Sequence, residues 1–230
     1  MKKLKVGLVG IGKLGSAMMK HWDQNKASIG VYHPVASKTE AFIQPFQNGY
    51  VLTERELGDL DIFILALSAK DIIPFIDELV SENRPLSKTH IINMATALNT
   101  NDIRNKFPSL KLSGVKYMGH ARDLLKNGNG LFITESNLPQ EIEDLFQLLG
   151  RIKMDREERL IQVNKLATGY AVKAAIEIET VFTEQGLSDE YVQRALTSIA
   201  PEVMRSYSQG TLGHFALDIV KEIQLSKMKD

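Results

Sequence analysis

The stretch from Leu4 to Trp22, LKVGLVGIGKLGSAMMKHW, constrains the chain most, because a short apolar run turns through three glycines straight into an amphipathic segment. Lys5 to Val9 has the apolar character of a buried strand, and Leu14, Ala17, Met18, His21 and Trp22 recur at helical spacing on one face. Between them Gly10, Gly12 and Gly15 fit G-x-G-x-x-G. Each glycine has a mechanical task in such a strand-turn-helix. Gly10 permits the tight turn, Gly12 lets the backbone approach a pyrophosphate with no Cβ in the way, and Gly15 allows helix and strand to pack closely. The helix N-terminus offers unpaired N–H groups and the positive end of its dipole to a phosphate. Gly10, Gly12, Lys13, Leu14 and Gly15 are therefore the first candidate cofactor-binding residues.

The alternation continues downstream. Ser28 to Tyr32 reads as a second strand and Lys38 to Phe46 as a short helix. Many NAD-binding domains carry an acid at the end of the second strand, on the ribose 2′-hydroxyl. This chain instead reads Tyr32-His33-Pro34-Val35-Ala36-Ser37-Lys38, with no carboxylate before Glu40. A 2′-phosphate is tolerated there, so the expected cofactor is NADP, with NAD possible and with His33, Ser37 and Lys38 as phosphate contacts. A short strand near Tyr50 precedes Leu60 to Leu67 (LDIFILAL), apolar on both faces as a central parallel strand requires. Leu67 and Ser68 at its end, and Ala95 after the strand Thr89 to Met94, fall at the carboxyl edge where open α/β sheets place ligands. Strands at 111–115, 130–134 and 151–154, with helices near 101–106 and 139–149, bring the expected sheet to about eight strands.

Lys116 to Asp123 reads as a loop at the site end, followed by the turn-rich Asn127-Gly128-Asn129-Gly130. His120 in that loop is the candidate proton donor.

Past Met154 strands give way to helices, so the expected domains are 1–154, binding the dinucleotide, and 155–230, all-helical. A helix of about 30 residues starts after Asp155 and runs to Gly186. A second follows Ser188 and stays in phase across Pro201, which predicts a kink, and a third covers about 212–225. The apolar residues of 160–182 point in more directions than one sheet edge can cover, so a homodimer through helices 156–208 is expected.

Lys+Arg 28 against Asp+Glu 28 gives a formal net charge of +0 with no basic block, which excludes an electrostatic footprint for nucleic acid or an anionic membrane. With Cys 0 there is no disulfide, thiolate nucleophile or cysteine-ligated metal, and no residue is assigned to a metal. No apolar run approaches the roughly 20 residues that span a bilayer, and MKKLKVGLVG lacks a signal-peptide pattern, so a cytoplasmic location and a small-molecule substrate are expected.

The order of parts, with G-x-G-x-x-G, then Leu65-Ala66-Leu67-Ser68-Ala69-Lys70-Asp71, Tyr117-Met118 before a loop and an all-helical C-terminus, resembles the pyrroline-5-carboxylate reductase family. The resemblance implies a doubly wound α/β Rossmann domain with a smaller helical domain that pairs with its twin, and hydride transfer between NADP and a small imine, amino-acid-like or carbonyl compound. Its substrate-gripping motif S-G-S-G-P-A-Y corresponds to Thr168-Gly169-Tyr170-Ala171-Val172-Lys173-Ala174, which makes Thr168, Tyr170 and Lys173 the substrate-binding candidates. The chain departs from the family at Ser68-Ala69, where a Lys-Pro pair is usual, and at Met118-Gly119-His120, where Met-Pro-Asn is usual. Related β-hydroxyacid dehydrogenases use a helix lysine four residues before Asn; Lys165 followed by Gly169 is the counterpart and a second catalytic candidate. The competing reading is a catalytically inactive NADP-holding regulatory module.

Overall fold

The computed structural model describes residues 4–82 and 84–227, so the expected domain limits at Met1 and Asp230 lie outside the described residues. In chain order the first part comprises β1 (Val6–Val9), α1 (Lys13–Gln24), β2 (Ile29–Tyr32), α2 (Ala36–Ile43), β3 (Gly49–Val51), β4 (Ile62–Leu65), α3 (Ala69–Ser81), β5 (His90–Asn93), α4 (Thr100–Lys106) and β6 (Lys111–Gly114). These strands form one six-stranded sheet in the order β3-β2-β1-β4-β5-β6, parallel throughout. Strand order reverses between β1 and β4, which opens a crevice at the carboxyl ends of both.

Side chains alternate across this sheet, and both faces are covered. Val6, Leu8, Ile62, Ile64 and Ile92 pack with Met18 and Trp22 of α1 on one side, while Val9, Phe63, Leu65 and Ile91 pack with Ile72 and Ile76 of α3 on the other. That is why these strands read as continuous apolar runs. The register places Tyr32, Val9, Leu65, Asn93 and Gly114 in one row at the carboxyl edge.

The expected single sheet of about eight strands is corrected. After β6 the chain begins a separate three-stranded sheet, β7 (Lys116–Tyr117), β8 (Gly130–Thr134) and β9 (Gly150–Met154). β7 runs antiparallel to β8, and β8 parallel to β9. The segment 116–123, read as loop, contains β7 and the start of α5 (Ala121–Asn127). Between β8 and β9, α6 (Gln140–Gln147) docks on α1: the Trp22 indole N–H donates to the Leu145 carbonyl at 2.9 Å, and its ring meets Phe146 edge-on.

The long helix α7 (Glu157–Glu184) follows, then α8 (Asp189–Arg194), a wider turn of π type over Ala195–Ile199, α9 (Ala200–Gln209) and α10 (His214–Lys227). The helical path continues across Pro201, which sits in the first turn of α9; the π turn just before it is a usual accommodation of a residue that has no N–H to give. Ser188 occupies the N-cap of α8 but its side chain makes no capping bond. The chain divides into two compact units, residues 1–164 and 165–230. The division falls inside α7, whose Glu157 and Leu160 are buried while most later residues of the helix are exposed. Among the described residues no helix is long and apolar enough to cross a membrane.

Candidate functional site

The glycine turn is held by backbone packing. Gly10 has φ +112°, and a Cβ there would collide with the Ala66 carbonyl at the end of β4. A Cβ on Gly15 would collide with the Gly10 carbonyl, so these two glycines are demanded by the fold itself. Gly12 differs, since a Cβ on it would meet nothing within 4 Å. It is the N-cap of α1, with no side chain capping the helix and no acid in the first turn. An uncapped N-terminus with open space in front of it has the donor set and the room that a pyrophosphate needs.

That space is one side of a cavity of about 560 Å³ lined by Ile11, Gly12, Lys13, Ser16, His120, Arg122 and Leu125. The structure thus brings three sequence candidates together, Gly12, Lys13 and His120, and adds Arg122, which the sequence reading missed. α5 carries the far wall and is tied to α1 by a contact of 2.6 Å between His21 Nε2 and the Leu124 carbonyl and by Lys20 donating to the Leu125 carbonyl at 2.7 Å. His120 is the N-cap of α5, its Nδ1 accepting from the Arg122 N–H at 3.2 Å. A neutral ring so bonded carries its proton on Nε2, which has no hydrogen-bond partner among the described residues. The turn before it wraps Tyr117, whose hydroxyl donates to the His120 carbonyl at 3.2 Å. Gly119 has φ +151° there, and a Cβ on it would lie 2.6 Å from that hydroxyl oxygen. Burial pushes the Tyr117 phenol up from its ordinary value, with the Asp123 charge acting the same way.

On the other side of the glycine turn, Val9, Pro34, Leu67, Asp71 and Phe75 line a second cavity of about 300 Å³. Leu67 faces it, and the Ser68 hydroxyl is held by the Asp71 carboxylate at 2.5 Å. At the end of β2, His33 Nδ1 accepts from the Val35 N–H at 2.9 Å, while Ser37 and Lys38 stand exposed in the first turn of α2, which has no side-chain cap and no acid there. Leu14 follows Lys13 in the first turn of α1 and packs partly buried against the core. Ala95, buried two residues beyond the carboxyl row, has its carbonyl bound by the Lys116 ammonium at 2.6 Å. Lys116, expected in a loop, lies in β7 and is 0 % exposed, and burial lowers its pKa to about 8 against the opposing pull of Glu157 and Glu135.

In the second unit Lys165, Tyr170 and Lys173 line a shallow concavity of about 360 Å³ on the exposed face of α7. Thr168 lies exposed on the same helix, outside that lining, and Tyr170 is 73 % exposed.

An open parallel sheet whose order reverses beside an uncapped, glycine-lined helix N-terminus defines a dinucleotide-binding protein. Residues 5–121 match the sequence family described as the NAD binding domain of 6-phosphogluconate dehydrogenase, and the chain belongs to that family. No curated protein is significantly similar in sequence. Among solved structures, the chain is similar to a pyrroline-5-carboxylate reductase from Coxiella burnetii, at TM-score 0.67 and 13% identity over 99% of this chain and 93% of that one. It is also similar to the pyrroline carboxylate reductase of Plasmodium falciparum solved with NADP bound, at TM-score 0.60 and 17% identity over 100% of this chain and 92% of that one. An imine reductase from Aspergillus terreus, in complex with NADPH4 and dibenz[c,e]azepine, matches at TM-score 0.64 and 15% identity over 91% and 75%. At such identities the likeness is one of fold, and it is the fold that the pyrroline-5-carboxylate reductase resemblance implies.

Proposed function

We propose that the chain is an NADP-dependent oxidoreductase that moves a hydride to or from a small imine, amino-acid-like or carbonyl compound. The observation that carries this reading is the open N-terminus of α1, where Gly12 leaves room for a ligand and Lys13, His120 and Arg122 line the same cavity. Bound NADPH supplies the hydride. The chain's own residues bind and orient it. The N–H groups of α1 take the pyrophosphate, and Ser37 and Lys38 at α2, with His33, take the 2′-phosphate. His120 Nε2 holds a proton for the product, and Arg122 and Lys13 favour a substrate carrying negative charge. The similar structures solved with NADP and with NADPH4 support the choice of phosphorylated cofactor.

The domain limits of 1–154 and 155–230 remain part of this reading, as does pairing of two copies through helices 156–208, with Lys165, Thr168, Tyr170 and Lys173 on the substrate side. A second reading, an NADP-holding regulatory module, is favoured by one observation: Lys165, Thr168, Tyr170 and Lys173 sit on an exposed helix face. Titration with NADPH and NADH, followed by turnover assays over cyclic imines, keto acids with amines, and pyrroline-5-carboxylate, separates the two. The oxidoreductase reading expects NADPH binding and turnover of a member of the panel, with little reduction of pyrroline-5-carboxylate given Ser68-Ala69 and Met118-Gly119-His120. Tight NADPH binding with no turnover of any member favours the module, and failure to bind either cofactor overturns both.

A further inference from the structure

The turn after β5, residues 95–99, is held from outside by side chains on four of its own or adjoining backbone groups. Asn93 Oδ1 accepts from the Ala95 N–H at 3.0 Å, and Asn93 Nδ2 donates to the Leu98 carbonyl at 3.0 Å. Lys116 Nζ donates to the carbonyls of Ala95 at 2.6 Å and Leu98 at 2.9 Å. The Glu157 carboxylate lies 3.6 Å from Nζ and accepts from the Thr100 N–H at 3.0 Å and from its hydroxyl at 2.5 Å. Lys116 and Glu157 are buried, at 0 % and 3 % exposure. A wholly buried ammonium is costly even when it is paired, and two apolar residues in place of Lys116 and Glu157 would fill this space at less cost to stability. What the ammonium does here is shape a turn at the carboxyl edge, one strand from the Gly10–Ala66 crossing at which the dinucleotide is expected.

We propose that Lys116 is a positioning residue for the dinucleotide: its charged head group, anchored by Glu157, holds the turn 95–99 in the shape that borders the bound cofactor, so that cofactor affinity depends on that charge. This rests on the reading of the carboxyl edge as the cofactor site. The charged groups that face Lys116 are Glu157 on α7 and Glu135 just after β8, and burial brings its loss of a proton down to about pH 8. Mild alkali therefore removes the charge, leaving Glu157 without its cation and the turn with a weaker clamp. Because the folded lysine releases its proton more readily than the unfolded one, the same titration makes the fold more stable, so a loss of affinity across it is not unfolding.

The test is the dissociation constant for NADPH by fluorescence titration from about pH 7 to about pH 9.5, a range in which the 2′-phosphate, with its second pKa near 6, stays ionised. In the wild type affinity falls about fivefold to tenfold with a midpoint near that of Lys116. Lys116→Arg keeps a charge and flattens the profile; Glu157→Gln removes the anion and moves the midpoint to lower pH. A flat wild-type profile, or a midpoint unmoved in Glu157→Gln, overturns the positioning role while leaving the cofactor site intact. A wild type that binds neither NADPH nor NADH at pH 7 overturns the site reading itself, and with it this inference.

Discussion

Gly114, the last residue of β6, leaves the room that the Glu157 side chain fills: a Cβ on it would collide with Glu157 Oε1 and lie 2.5 Å from Thr100 Oγ1. Gly114→Ala must therefore push a buried carboxylate off its partners. We expect it to cost about 2–4 kcal/mol, read by urea denaturation. In a Glu157→Ala background the same substitution should cost less, because the nearer colliding atom is gone and only the Thr100 hydroxyl must give way, and a cycle that gives additive costs contradicts the relationship.

The Lys116–Glu157 pair has its own stability signature. Lys116→Met strands a buried carboxylate and should destabilise by about 3–5 kcal/mol, whereas Lys116→Met with Glu157→Leu should recover most of that loss. The pH dependence has a definite sign. Lys116 titrates near 8 when folded and at its ordinary 10.5 when unfolded, so the unfolded chain binds more protons between those values and stability rises with pH there. Relative to the double variant, the wild type should gain on the order of 3 kcal/mol from about pH 8 to 10.5 by chemical denaturation. A difference that is constant over the window removes the claim.

How far the sequence foretold this site depends on which signals are local. The β1–α1 turn was legible because strand, glycines and helix lie within one stretch and their periodicities are strong. So was the crevice, since LDIFILAL and the strand at 89–94 declare central parallel strands. β7 was not legible: Lys116–Tyr117 is too short for a period, and a lysine beside a glycine turn reads as solvated. Its burial is set by Glu157 on a helix far along the chain and by carbonyls from the turn after β5, partners that no local pattern announces. Arg122 was missed for a related reason. It reaches the cavity because α5 docks on α1, through His21 and Lys20, and that docking is a tertiary contact. That the helical path runs on past Pro201 was readable because the apolar phase continues across it, while the π turn just before it has no sequence period of its own.

Cofactor choice is tested at Lys38. NADPH should bind more tightly than NADH, and Lys38→Glu should weaken NADPH at least about tenfold while sparing NADH, since a charge-assisted phosphate contact is worth roughly 1.5–3 kcal/mol. Calorimetry that finds equal affinities for the two cofactors in the wild type would remove this prediction.

Assembly is tested by mass. α9 buries none of its residues, and Ile176, Ile199, Met204 and Phe215 expose half or more of their surface. Apolar faces of this extent mark interaction sites. Light scattering at micromolar protein should return about twice the chain's 25.7 kDa, and Ile176→Glu should lower it toward one copy. A wild-type mass near 25.7 kDa sinks the homodimer.

The three glycines of the first turn do not fail alike. Gly10 and Gly15 are closed in by backbone, so substituting either attacks folding and ligand together. Gly12 faces open space, so Gly12→Ala should lower the unfolding free energy, read by urea denaturation, by only the roughly 1 kcal/mol that alanine costs at an N-cap, while abolishing dinucleotide binding at concentrations that saturate the parent. A cell carrying that one added methyl would keep the folded chain with its surfaces intact and its dinucleotide site closed. Comparing such a cell with one that lacks the protein altogether would show whether the organism depends on the reaction or on the presence of the folded chain.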